Sequence, residues 1–352
     1  MTADGYSREF WERSPEAREH PLADHLTVTR AAHTELPGYN VLIKACANIL
    51  VDTSGPHVVA HFEGGYHDFT VDILNEPRCP TLVAAETPEG VREGYERSFR
   101  QLILSADRLD RKLAVLQTGE LMRTVLETEQ GTVYSGRIRP GQYVTGSVAA
   151  VPNAQVMDER LSGLVTAVRT QLYGLPDEQP GGSPVRTPAE PSKVTVFSRN
   201  GTALNGERLE MVKAACDGHL HEDDLQYLAA FSGWKFAYSA DLFGAERLSN
   251  WFNGMSQDQR RDHYERLGPE LGPELAQLRR SIRRLVGGEL RRFVLDVQAG
   301  AVYVHPTGRS GDFLLGVTMN QAAVLNAENR MRDALDMIRR GFNPLDTDNC
   351  HE

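Results

Sequence analysis

Residues Leu290 to Ile338, LRRFVLDVQAGAVYVHPTGRSGDFLLGVTMNQAAVLNAENRMRDALDMI, decide the fold. Three runs rich in Val, Leu, Tyr and Phe are separated by turns holding Gly300 and Gly311, the pattern of successive antiparallel strands. The period then changes, because Val324, Met331, Leu335 and Ile338 recur at helical spacing. Moving outward, the same series stands 169 residues earlier as LMRTVLETEQ, GTVYSGRI and QYVTGSVAAV, followed by a helical run with Val156, Leu161, Leu164, Val165 and Val168.

The correspondence extends upstream. At the same shift Gly119-Glu120-Leu121 meets Gly288-Glu289-Leu290, Tyr95-Glu96-Arg97 meets Tyr264-Glu265-Arg266, and Asp72 meets Asp241. One added residue in the turn RIRPG versus HPTGRSG, where length costs little, carries Gly141, Gly146 and Arg160 onto Gly311, Gly316 and Arg330. Matches along one diagonal predict an internal duplication. Ahead of its three strands each copy has a short helix (VLIKACANIL; LEMVKAACDG) and two strands around a Gly turn (HVVAHFEGGYHDFTVDIL; LQYLAAFSGWKFAYSADLF). A long amphipathic helix follows, with Val91, Tyr95, Phe99, Leu102, Leu109 and Leu113 in copy one and Leu267, Leu271, Leu275, Leu278, Ile282 and Leu285 in copy two. Gly272-Pro273 is expected to kink or interrupt the second of these helices. TVTRAAHTELPGYN and KVTVFSRNGTALNG each add an extra strand or hairpin in front.

The predicted fold is therefore α+β: two duplicated domains, each a five-stranded antiparallel sheet covered by helices, forming a pseudo-twofold dimer in one chain. The first repeat spans 25–173 and the second 194–341, with polar tails at 1–24 and 342–352. Between the repeats lies a linker, 174–193, whose five prolines and three glycines bar a helix or a central strand. The order helix, two strands, helix, three strands, helix resembles the Roadblock and dynein light chain family, most closely in the stretch quoted first and in its copy. That resemblance, to the bacterial type that partners small GTPases, implies two domains paired through their sheets and long helices. Leu102, Leu109, Leu271 and Leu278, repeated at matching places, are then the expected interdomain interface.

Composition narrows the function. Lys and Arg total 38 against 48 Asp and Glu, and the formal charge of -10 argues against a general affinity for phosphate backbones, so nucleic acid is not the expected partner. No apolar run reaches the roughly 18 residues of a membrane span. The start MTADGYSREFWERSPEAREH lacks the apolar core of a secretory signal, and the expected location is the cytoplasm without a membrane partner. Cys46, Cys79, Cys216 and Cys350 form no CxxC pair and read as free thiols, Cys46 and Cys216 on helices and Cys350 in a tail.

Candidate chemistry is sparse. The run CDGHLHEDD from Cys216 to Asp224 offers His219 and His221 as metal ligands. Copy one has only ANILVDTSG at that place, so the favoured reading is a solvated connection, with no metal and no cofactor expected. His57, His61 and His67 lie on or beside strands and read as surface or edge histidines. Asp72 and Asp241 end the second strand of each copy and read as turn or cap residues. GxSxG, Walker and GxGxxG motifs are missing from the sequence, Gly64-Gly65 and Gly287-Gly288 read as turns, and no catalytic residue is assigned. Arg279, Arg280, Arg283 and Arg284 form a basic flank on the second long helix. They are either a solvated face balanced by Glu270, Glu274 and Glu289, a docking face for an acidic protein, or a nucleic acid surface.

The function these readings favour is a non-catalytic cytoplasmic adaptor or regulatory scaffold binding a protein partner, which the family resemblance narrows to a small Ras-like GTPase or another signalling component. Two alternatives stay open: a metal- or small-molecule-dependent enzyme using the interdomain groove, with His219 and His221, and a nucleic acid-binding regulator using the arginine-rich helix.

Overall fold

A computed structural model describes residues 20–35, 37–80, 87–149, 151–178, 180–182, 194–283 and 285–342. The chain is α+β and divides into two units. The first runs to Asp110 and takes in Leu121–Pro180 and Gln277–Arg291; the second comprises Arg111–Glu120, Gly181–Ala276 and the chain from Arg292 onward.

In chain order the first series of elements is β1 (Thr27–Arg30), α1 (Pro37–Ala47), β2 (Val58–Glu63), β3 (Tyr66–Asp72), α2 (Pro88–Leu113), β4 (Leu121–Thr128), β5 (Thr132–Arg139), β6 (Gln142–Val148) and α3 (Ala154–Ala167). The second series is β7 (Phe197–Asn200), α4 (Gly206–His219), β8 (Tyr227–Ser232), β9 (Lys235–Asp241), α5 (Gln257–Ile282), β10 (Leu290–Val297), β11 (Gly300–Pro306), β12 (Phe313–Thr318) and α6 (Val324–Phe342). The first six strands lie in the order β1-β3-β2-β6-β5-β4, and the second six in the order β7-β9-β8-β12-β11-β10. Shifting the strand number by six turns one order into the other. Within both series the neighbours run antiparallel.

The expected five strands per copy are corrected to six. The sixth is β1 or β7, drawn from the leading segments TVTR and FSRN, which pair with β3 and β9. Without them β3 and β9 would present an open row of backbone donors and acceptors.

Sequence rules explain the element starts. Thr87 caps α2 by accepting the Gly90 amide at 3.1 Å, and Pro88 at the first helical position has no amide to leave unpaired. At the matching place Ser256 and Gln259 form a reciprocal capping box at 3.2 and 2.9 Å. The β2–β3 hairpin turns on Gly64-Gly65, both with positive φ, as read from the sequence. In the β8–β9 hairpin Trp234 takes the second of these left-handed positions, with φ 63°, and its ring packs on Phe313.

The expected interruption at Gly272-Pro273 does not occur: α5 runs unbroken through Pro269 and Pro273. A Cβ on Gly268 or Gly272 would collide with the rings of Phe231 and Trp234, so these glycines let two aromatic side chains close against the helix. That packing offsets the backbone bonds the prolines forfeit. Tyr95 and Tyr264 are buried, and so are Leu102, Leu109, Leu271 and Leu278.

Residues 20–24 of the segment assigned as tail contribute to the first unit, since buried His20 pairs through Nε2 with the Ala47 carbonyl at 3.1 Å and Leu22 is buried, while residues 1–19 lie outside the described residues. Linker residues 183–193, Arg284, Cys350 and the C-terminal tail from 343 lie outside the described residues. Among the described residues no helix is long and apolar enough to cross a membrane.

Candidate functional site

Both units are braced by the same buried ion pairs. Arg92 of α2 grips Asp72 at the end of β3 with Nε and Nη2 at 2.8 and 3.0 Å. The 169-residue shift carries this pair onto Arg261 and Asp241, at 2.6 and 2.8 Å. Each aspartate also accepts the backbone amide two residues on, Leu74 at 3.2 Å and Phe243 at 3.0 Å. A second pair recurs as Arg123–Asp158, at 2.6 Å, and Arg292–Glu328. Bidentate geometry and extra amide donors let such charges stay buried. The expected structural role of Asp72 and Asp241 is therefore specified: each ties the second strand to the long helix.

Beside the first of these braces lies an open cleft of about 350 Å³ in the first unit. Its floor is one face of β1 and β3, with Thr27, Thr29, His67 and Thr70. Its wall is the first turns of α2, where Glu89, Arg92, Glu93 and Glu96 project at helical spacing. Arg92 is occupied by Asp72. Glu96 accepts Arg100 at 2.9 Å and stands 3.6 Å from the His67 imidazole. His67 pairs with the Thr70 hydroxyl at 2.8 Å. Burial pushes its pKa down, against the pull of Glu96 and Asp68, so the ring is neutral near pH 7. Among the described residues no ion pair or side-chain hydrogen bond engages the carboxylates of Glu89 and Glu93, and both residues are exposed.

The second unit fills the corresponding place from within. In the strand registers Thr27 stands opposite Asp72 and Thr29 opposite Thr70, while Phe197 stands opposite Asp241 and Arg199 opposite Ser239. Phe197 and Arg199 thus replace Thr27 and Thr29. Arg199 reaches the α5 carboxylates at the positions of Glu89, Glu93 and Glu96: Asp258 at 2.9 Å, Asp262 at 2.6 Å and Glu265 at 3.4 Å. The Phe197 ring lies 3.8 Å beneath the Arg261 guanidinium. Partial burial opposes the charge on Arg199, yet its carboxylate partners outweigh it and hold its pKa above the ordinary value.

The residues singled out in the sequence are dispersed. His219 ends α4, with Nδ1 2.8 Å from the Ala215 carbonyl, whereas His221 is buried and its Nδ1 accepts the Asp223 amide at 3.2 Å. The run is therefore not the wholly solvated connection expected, and His221 shapes a local turn. Among the described residues no group of three or more His, Cys, Asp or Glu is placed to hold a metal. The expectation of surface histidines is also corrected: His57, His61 and His67 are all buried. His57 pairs with the Thr53 carbonyl at 3.1 Å, and His61 pairs with Asp68 at 2.7 Å, whose other oxygen meets exposed His33 at 2.6 Å. Strand alternation missed this because β2 and β3 are covered on both faces.

The basic flank is shorter than expected, since α5 ends at Ile282 and Arg283 lies in the turn beyond it. Arg279 bonds Glu289 at 3.0 Å, and Arg280 and Arg283 are exposed. Cys46, Cys79 and Cys216 are free and buried, and burial pushes the Cys46 thiol up to about 12. Comparison with protein-family models, curated proteins and solved structures returns no match to this chain.

Proposed function

We propose that this chain is a non-catalytic cytoplasmic adaptor or regulatory scaffold, made by duplication of a Roadblock-like domain, that binds a protein partner. The observation that carries this reading is the repetition of strand order and buried ion pairs in the two units. The buried charged pairs that recur are consumed in holding the scaffold together. What differs between the units is a polar surface cleft, the feature through which a binding protein acquires a partner. A small Ras-like GTPase is the first candidate partner, on the strength of the element order that resembles the Roadblock family. The test is recovery of the tagged full-length chain from its native cells followed by mass spectrometry. A stoichiometric protein partner is the expected result; a co-purifying metabolite with no protein partner overturns it.

We further propose that the two copies form one pseudo-twofold assembly through Leu102, Leu109, Leu271 and Leu278. Supporting this, each unit takes in a segment from the other half of the sequence, Arg111–Glu120 in one case and Gln277–Arg291 in the other, and the two segments overlap under the 169-residue shift. Separately expressed residues 1–176 and 190–352 are expected to associate on mixing. The pair Leu109→Asp and Leu278→Asp, which places charges at buried positions, is expected to abolish association and to cost several kcal/mol in the intact chain (on the order of 3–5). Wild-type halves that stay monomeric at tens of micromolar concentration would remove the pseudo-dimer.

A further inference from the structure

The structure assigns a ligand chemistry to the cleft of the first unit: we propose that it binds a guanidinium group presented by another molecule. This deepens the binding-protein reading and rests on it. Three carboxylates at corresponding positions on the second long helix, Asp258, Asp262 and Glu265, converge on the guanidinium of Arg199. Their counterparts Glu89, Glu93 and Glu96 keep the same spacing, but the strand facing them carries Thr29 where Arg199 stands. The second unit is therefore an internal picture of the cleft occupied.

The remaining charges favour a cation. Arg92 is neutralised by Asp72, Glu96 is partnered by Arg100, and His67 is neutral near pH 7. Glu89 and Glu93 are left to accept a ligand, and Thr29 and Thr70 offer hydroxyl oxygens to its remaining N–H groups. A planar guanidinium suits two carboxylates one helical turn apart better than a compact ammonium, because its fork donates in fixed directions. The volume admits the aliphatic stem as well as the head. The group can arrive on a free small molecule such as agmatine or as an arginine of a polypeptide.

Titration of the full-length chain distinguishes these sources. Agmatine is one probe and the blocked tripeptide acetyl-Gly-Arg-Gly-amide the other, with the citrulline tripeptide as the uncharged control of the same shape. Saturable binding of either guanidinium probe is expected, with none of the citrulline control. The tighter probe identifies the source. Glu93→Gln, a change at an exposed helix position, is expected to weaken binding about tenfold, the loss of one charged hydrogen bond. Thr29→Arg supplies the missing side chain internally, and it is expected to abolish probe binding while raising the melting temperature. No saturable binding by the wild type, or equal binding by Thr29→Arg, overturns the proposal. Recovery of a partner from cells remains a separate test: a partner still bound by Thr29→Arg leaves the adaptor reading standing and removes only the cleft from its interface.

Discussion

The two clefts, one open beside β1 and one filled beside β7, differ in what their edge strands present to a shared scaffold. The braces Asp72–Arg92 and Asp241–Arg261 occupy the same positions, and each long helix sets three acidic residues at the same intervals. The strand facing them departs, with Thr27 and Thr29 in one unit and Phe197 and Arg199 in the other, and on the neighbouring strand His67 stands where the second unit has Phe236. Two residues on one face of a four-residue strand decide whether the place is occupied from within. An edge strand tolerates such divergence because each of its residues meets one neighbouring strand, and alternate side chains can change without touching the opposite face. The scaffold is thus kept by charges buried between helix and strand, and the two units differ at the rim.

The comparison breaks most sharply if the braces are not equivalent. Asp72→Asn and Asp241→Asn each take the buried counter-charge from a largely buried guanidinium, Arg261 keeping only the exposed Asp258, and each is expected to cost about 3–5 kcal/mol. Urea unfolding of the two variants measures this. Losses of similar size confirm a common brace; a tolerated change in one unit shows that the recurrence of the pair is coincidental there.

The second comparison is read by pH. His305 on β11 is buried, and burial pushes its pKa down to about 3 against the opposing field of Glu328; the 169-residue shift places Gly136 at this position in the first unit. The folded chain therefore keeps this imidazole neutral while the unfolded chain protonates it near its ordinary value of 6.5. Stability falls as pH drops from about 6.5 toward 3, by up to about 1.4 kcal/mol per pH unit for this one proton. His57 and His67, both pushed down by burial, add to the slope from the first unit. His305→Gln is expected to reduce the acid-side slope by about one proton without removing it. A slope unchanged by this substitution would place the titrating groups elsewhere.

Periodicity and repetition made most of this architecture legible before any coordinates. The runs LMRTVLETEQ and LRRFVLDVQA became β4 and β10, and the tyrosines of the two YER triplets are buried. The edge strands were harder to read, because four residues such as TVTR carry too little alternation to separate a strand from a hairpin. The cleft was invisible for a different reason. Its meaning lies in a difference between the two units, and matching them draws attention to what they share. The shift that paired Asp72 with Asp241 also pairs Arg92 with Arg261, and that signal could have revealed the brace from sequence. The replacement of Thr29 by Arg199 could not be seen, because β1 and β7 align only with one residue of slip from the main diagonal.

The finest test converts one unit into the other. Phe197→Thr with Arg199→Thr gives the second unit the edge strand of the first and leaves Asp262 and Glu265 without their guanidinium, while Asp258 keeps Arg261. The lost pairs are partly exposed and screened by solvent, so the stability cost is expected to stay near or below about 1 kcal/mol. The Asp258 carboxyl, held low by Arg261 first and Arg199 second, should rise only part of the way toward an ordinary aspartate, which a carbon-detected NMR titration would follow. If the acidic positions of the long helix are what recognise a guanidinium, the double variant also gains a second cleft. The arginine tripeptide should then bind at two sites per chain instead of one, and Thr29→Arg added to the double variant should return the count to one. A double variant that folds but keeps a single site would show that the first cleft owes its binding to something its counterpart lacks, with His67, where the second unit has Phe236, the first residue to exchange.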